Sequence, residues 1–189
     1  SAIYVNAMDT EPLAADPVVA IRGKQSELQH GLHLLAKLTD GKVYYGPSGE
    51  VAKSFHVHDG YGLRQIMAAG IDVAIISGRP SPGAAIRFEE LGIRHVFLGC
   101  KTKRATLADL QARLGVPAEA TAVVGDDLPD LDMMQISGLR IAVANAHPQL
   151  RREVDFVTTR NGGEGAVREV CDALLSGQQP GQPSEAFTG

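Results

Sequence analysis

Three carboxylates fall within Gly125-Asp126-Asp127-Leu128-Pro129-Asp130. Charges this close repel unless something positive sits among them. A hard divalent cation with oxygen ligands, magnesium above all, meets that demand. The competing reading is a capping turn, because Asp at a helix N-terminus is stabilising. Ser77-Gly78-Arg79 offers a hydroxyl, a permissive backbone and a helix start, which suit a phosphate oxygen. A plain strand-to-helix turn uses the same residues. Lys103 opens a helix after Gly99, where a cation either neutralises a phosphate or stands as a solvated charge. His56 and His58 are two apart on an expected strand and share a face, as metal ligands or as surface residues. Cys100 lies beside Lys101 and Lys103. No pattern places a histidine next to it, so it is not read as a nucleophile. Gly162-Gly163-Glu164-Gly165 lets the backbone come close to a ligand or another chain.

Each of these groups needs an element to hold it. Leu32–Leu38 reads as a first strand, interrupted by His33 and Lys37. Lys42–Tyr45 and Val51–Val57 flank the turn signal Gly46-Pro47-Ser48-Gly49 and read as a β-hairpin. Asp59 is placed to cap a helix that runs through Ala69 and ends at Gly70. Val73-Ala74-Ile75-Ile76 is a continuous apolar run, as in a strand covered on both faces. A helix over Pro82–Leu91, a strand over His95–Phe97 and a helix over Lys103–Leu114 follow. The last of these carries Leu107, Leu110 and Leu114 on one face. Ala122-Val123-Val124 predicts another buried strand, Leu128–Gln135 a helix, Ile141–Ala144 a strand and Gly165–Leu175 a final amphipathic helix. Regular alternation of this kind predicts an α/β fold with a parallel central sheet, helices on both faces and a small hairpin protrusion. Ligands on such sheets bind at the carboxyl ends of the strands. Ser77-Gly78-Arg79 and Gly125-Asp126-Asp127 fall there.

The chain has 189 residues, 44% of them hydrophobic and 21% charged, which is ordinary globular composition. Residues 1–27 mix Pro, Asp, Glu and Ala without periodicity and read as an N-terminal extension. Residues 28–175 read as the domain, and residues 176–189 as a loose tail rich in Gly, Pro, Gln and Ser. A net charge of −4 provides no basic field for nucleic acid or an anionic membrane. Two cysteines make neither a disulfide framework nor a zinc site. No run of apolar residues is long enough to span a bilayer, and Asp9, Glu11 and Asp16 interrupt any signal-peptide pattern. A cytoplasmic location is the expectation.

In order, several segments resemble the haloacid dehalogenase superfamily. They include Leu38-Thr39-Asp40-Gly41, Phe55 through Gly62, Ala74 through Arg79, Leu91-Gly92-Ile93, Val124 through Asp127, Ala142 through Pro148, and Gly162 through Glu169. The likeness is to its small cap-less tetrameric branch, and most closely to the 3-deoxy-D-manno-octulosonate 8-phosphate phosphatases. It implies a magnesium-dependent sugar-phosphate phosphatase of the lipopolysaccharide sugar pathway, acting on a small phosphorylated sugar acid. It assigns Ser77, with Gly78 and Arg79, to the phosphoryl group, Lys103 to charge balance, and Asp126 to the metal. Asp127 and Asp130 support Asp126, and Gly162, Gly163 and Glu164 belong to a substrate-side segment. It implies a homotetramer in which the hairpin builds the assembly and the glycine-rich segment reaches a neighbouring active site. Many relatives carry Arg where this chain has Glu164. The superfamily's first motif, Asp-x-Asp-Gly, supplies the attacking carboxylate and the acid/base. Here, counting back without gaps puts His33 and Leu35 at those places; alternatively, about five residues are missing before Leu38. Either way the expectation is a phosphatase scaffold with impaired chemistry. The alternative is a non-catalytic relative that binds or scaffolds.

Overall fold

The structure, a computed structural model, describes residues 3–7, 43–46 and 49–176. Its strands are the apolar runs. β4 (Asp72–Ser77) and β6 (Thr121–Gly125) bury nearly every side chain, as interior strands covered on both faces must. β5 (His95–Leu98) pairs with β4, and β7 (Leu139–Ala142) with β6. The two-residue β8 (Phe156–Val157), which periodicity does not reveal, closes the far edge. The central place between β4 and β6 is held by β1, Ile3–Ala7. Tyr4 pairs with Val73, and Asn6 and Ala7 pair with Val124 and Gly125, all in parallel register. The sheet order is β5-β4-β1-β6-β7-β8. The strand expected over Leu32–Leu38 lies outside the described residues. The segment read as an N-terminal extension contributes the middle of the sheet.

β2 (Val43–Gly46) and β3 (Gly49–Lys53) form the expected hairpin as a separate two-stranded antiparallel sheet. α1 (Val57–Ala68) follows directly. It starts three residues earlier than expected, so His56 is its N-cap in place of Asp59 and His58 lies in its first turn, not on a shared strand face. The two imidazoles instead meet edge to face, centroids 5.1 Å apart. Asp59 does not cap its own helix. Its Oδ1 accepts from Arg168 N at 2.9 Å, at the start of α5 (Ala166–Ser176). Three residues on, a Cβ at Gly62 would lie 3.1 Å from Cys171 Cβ, so glycine is what lets α1 and α5 approach. The Asp59-Gly60-Tyr61-Gly62 signature is thus first of all a helix-packing device.

α2 (Pro82–Leu91) shows the local rules plainly: Ser81 caps it by accepting from Ala84 N, Pro82 opens it, and left-handed Gly92 ends it. α3 (Lys103–Leu114) buries Leu107 and Leu110 against the sheet. The helix expected over Leu128–Gln135 is a 3-10 turn, Leu128–Asp130, running into a short α4, Leu131–Met134. Among the described residues no helix is long and apolar enough to cross a membrane.

Candidate active site

Parallel strands leave their carboxyl ends on one side of the sheet, and that side gathers Ser77, Lys103, Asp126, Asp127 and Asp130. Ser77 ends β4. Its Oγ accepts from Arg79 N at 3.3 Å, and its carbonyl accepts from Cys100 N at 2.8 Å, which ties the β4 and β5 ends together. Gly78 follows, and the nearest atoms to a Cβ built there, Cys100 O and Lys103 Cε, lie at 3.7 and 3.8 Å. Its glycine is not required by the protein's own packing, so what it leaves open is the space of the cleft beside it. That cleft, about 860 Å³, is lined by Gly78, Arg79, Lys103, Asp127, Asp130 and Asp132 among others. Ser77 and Asp126 stand one residue behind this wall in the chain.

The acidic turn is organised around Asp130, and not in the way its spacing predicts. Asp130 is completely buried, and its Oδ2 accepts from Asp126 N at 2.9 Å and Asp127 N at 3.2 Å. Its Oδ1 accepts from Lys103 Nζ at 3.0 Å, and the lysine side chain is only 13% exposed. The positive group among the carboxylates is therefore Lys103, and Asp130 is spent holding it. Burial pushes the Asp130 carboxyl up to about 6, against the pull of Lys103 and the two backbone N–H groups. Asp127 Oδ1 accepts from Leu128 N at 2.8 Å, so Asp127 and Asp130 make a reciprocal capping box. Asp127 and Asp130 follow the capping reading of this turn, and Asp126 lies buried at the strand end beside them. Gly125 is forced, since a Cβ there would lie 2.6 Å from Asp130 Oδ2.

Gly162, Gly163 and Glu164 do not line this cleft. They follow β8, at the opposite edge of the sheet from β4 and β5. At about 4.8 Å per strand, β8 stands roughly 19 Å from β4. Glu164 accepts from Asn161 Nδ2 at 3.1 Å. Gly162 N donates to the buried Asn145 Oδ1 at 2.8 Å. Asn145 has no place among the residues that spacing singles out. The signal that finds it is its position just past the apolar run Ile141–Val143, at another strand end. Cys100 Sγ lies 3.1 Å from Thr106 Oγ1 and has no histidine partner among the described contacts. His33 and Leu35 lie outside the described residues. Among the described residues no three His, Cys, Asp or Glu side chains gather as a ready metal cage.

Residues 99–170 match the haloacid dehalogenase-like hydrolase family, and residues 1–71 match the NqrA second alpha/beta domain. The chain is 47% identical over 141 residues to 3-deoxy-D-manno-octulosonate 8-phosphate phosphatase of Escherichia coli, covering 75% of each chain. It is 45% identical to the Haemophilus influenzae enzyme of that name, covering 75% of this chain and 78% of the relative. Among solved structures, the Moraxella catarrhalis phosphatase in complex with magnesium, phosphate and KDO superposes with a TM-score of 0.77. It is 38% identical, and the match covers 84% of this chain and 94% of that one. The cobalt-bound Haemophilus influenzae protein superposes at 0.76, with 41% identity and 80% and 91% coverage.

Proposed function

Because the chain belongs to the 3-deoxy-D-manno-octulosonate 8-phosphate phosphatase family of the haloacid dehalogenase-like hydrolases, we propose that its strand-end cleft binds a phosphorylated sugar acid of the lipopolysaccharide pathway. The observation that carries this reading is the cleft wall itself, where Gly78 leaves room beside a half-buried Lys103 held by Asp130. Ser77, Gly78 and Arg79 receive the phosphoryl oxygens and Lys103 balances their charge. Asp126, supported by the capped turn of Asp127 and Asp130, holds magnesium, which when bound neutralises developing charge on the phosphoryl group. A carboxylate buried at a strand end suits a hard cation. Asp130 does not serve as a ligand, since both its oxygens are engaged.

β1 occupies the place from which an attacking carboxylate would project, and Ile3–Ala7 contains no Asp or Glu. That favours slow turnover and keeps a second reading alive, a non-catalytic relative that binds its ligand or scaffolds an assembly. Loss of acid/base help alone costs about 10²–10⁴-fold. The deciding experiment measures phosphate release, with and without magnesium, from an aryl phosphate and from phosphorylated sugar acids. It compares the unmodified chain with two variants that each place a carboxylate at the carboxyl end of β1, Asn6→Asp and Ala7→Asp. Gain of magnesium-dependent hydrolysis in either variant supports a phosphatase scaffold. Turnover of the unmodified chain in the range of about 1–10³ per second overturns the impairment.

The working form is a homotetramer. A lone two-stranded hairpin has two open edges and little stability of its own. Beside it, α1 exposes Val57 and Tyr61, 74% and 58% accessible. Glycine-rich Gly162-Gly163-Glu164, which does not line the cleft of its own chain, reaches a neighbour's in that assembly. The free thiols of Cys100 and Cys171 suit a cytoplasmic setting.

A further inference from the structure

The turn between β7 and the following 3-10 turn bonds in two directions. Toward the cleft, Val143 N donates to Gly125 O at 3.2 Å and His147 N donates to Asp126 O at 2.6 Å. With Asp130 Oδ2 accepting from Asp126 N on the other side, the backbone of Asp126 is held at both its polar groups. Away from the cleft, Ala144 N reaches Thr158 Oγ1 at 3.1 Å and Arg160 O at 3.3 Å. Glu169 of α5 adds a second clamp on that strip by accepting from Thr159 N and Arg160 N. Beyond Arg160 the chain turns through Gly163 and Gly165, at φ +71° and +101°, so the loop depends on outside contacts for its shape.

Asn145 supplies the contact that joins the two directions. It is 6% exposed, sits in the middle of the turn that grips Asp126, and accepts from the buried Gly162 N at 2.8 Å. We propose that Asn145 is a positioning residue that makes the glycine-rich loop and the Asp126 turn one mechanical unit, so that neither can open without loosening the other. The proposal rests on the preceding functional reading only where it takes Asp126 as the cation-binding carboxylate.

The consequence is a link across the sheet. A cation or anion held at the Asp126 turn stiffens Gly162–Gly165, and a contact made by that loop is felt at Asp126. The hydrogen bond, not the volume of the side chain, carries the link, and this sets the variants. Asn145→Leu keeps the size and removes the acceptor. Asn145→Asp keeps an acceptor oxygen in the same place. Asn145→Ser, whose hydroxyl is too short to reach Gly162 N, replaces the Leu variant if that one does not fold.

Two measurements on the full chain test this. Amide hydrogen exchange should rise at least about tenfold at Gly162 and at His147 together in Asn145→Leu, and stay near the unmodified rate in Asn145→Asp. Faster exchange at Gly162 with His147 unchanged overturns the coupling, as does equal exchange in the Leu and Asp variants. Calorimetric titration with magnesium chloride should show affinity about tenfold weaker in Asn145→Leu and retained in Asn145→Asp, the size expected for a group supporting a metal ligand. Equal magnesium affinity in all variants overturns the link to Asp126. If the unmodified chain takes up no magnesium, the cation reading of Asp126 fails, and the exchange result alone decides the coupling.

Discussion

Asp130 is the residue on which the cleft wall turns, and replacing it separates three effects the structure superimposes. Asp130→Ala removes the acceptor from two backbone N–H groups, those of Asp126 and Asp127, and from a nearly buried ammonium. An orphaned buried donor costs about 1–3 kcal/mol, and breaking a buried ion pair about 3–5 kcal/mol. Lys103 borders the cleft and can swing its head into water, which recovers much of the second cost. The expected loss for Asp130→Ala is therefore about 3–5 kcal/mol. Asp130→Asn keeps an oxygen for the backbone donors and loses only the charge, so about 1–2 kcal/mol is expected. The pH dependence has a definite sign. Burial raises the folded Asp130 carboxyl from 3.8 to about 6, so the folded protein holds this proton more tightly than the unfolded chain does. Its contribution to stability is greatest below about 3.8 and is lost as pH rises through about 6. Urea unfolding of the unmodified protein and Asp130→Asn at pH 4.5 and pH 8 measures it, and the gap between the two proteins should change by roughly 1–3 kcal/mol across that window. Parallel pH profiles for the two proteins, or an Asp130→Ala variant no less stable than Asp130→Asn, would refute the reasoning.

Gly125→Ala should be strongly destabilising, by about 2 kcal/mol or more, because its Cβ meets Asp130 Oδ2 at 2.6 Å and Asp130 Cβ at 2.7 Å and the carboxylate cannot move without releasing Lys103. Thermal melting checks this, and Gly78→Ala, which meets only ordinary contacts within the chain, is the neutral control for folding. Light scattering at micromolar concentration should report four chains per particle, and charged substitutions Val57→Glu with Tyr61→Glu should reduce that mass by exposing charge at the hairpin-side surface. A monomer in the unmodified protein contradicts the assembly.

Much of the fold is legible because it follows from local rules. Pro82–Leu91 is bounded by a Ser cap, an opening Pro and a closing Gly, and Lys103–Leu114 carries its apolar residues on one face, so both helices emerge as expected. Val73–Ile76 and Ala122–Val124 announce themselves as doubly covered strands. The short strand Phe156–Val157 is too brief to show a period. His56 and His58 look like a strand pair because α1 begins inside a stretch whose alternation continues from the hairpin.

What the sequence by itself determined is the class of fold, the strand ends that bear Ser77 and Asp126, and the family to which those ends belong. These rest on residues near one another in the chain, where period, turn chemistry and motif spacing act directly. Only the tertiary structure decided which apolar segment takes the centre of the sheet, Ile3–Ala7 beside Val73 and Val124. Only it assigned Asp59 to a helix 109 residues away, gave Asp130 to Lys103 instead of a metal, and joined Asn145 to Gly162. In each case the partner is distant in sequence, and the choice is made by competition among all groups that must be buried together. A carboxylate or an amide shows in the sequence that it will need a partner; which partner it gets depends on what the packed chain leaves within reach.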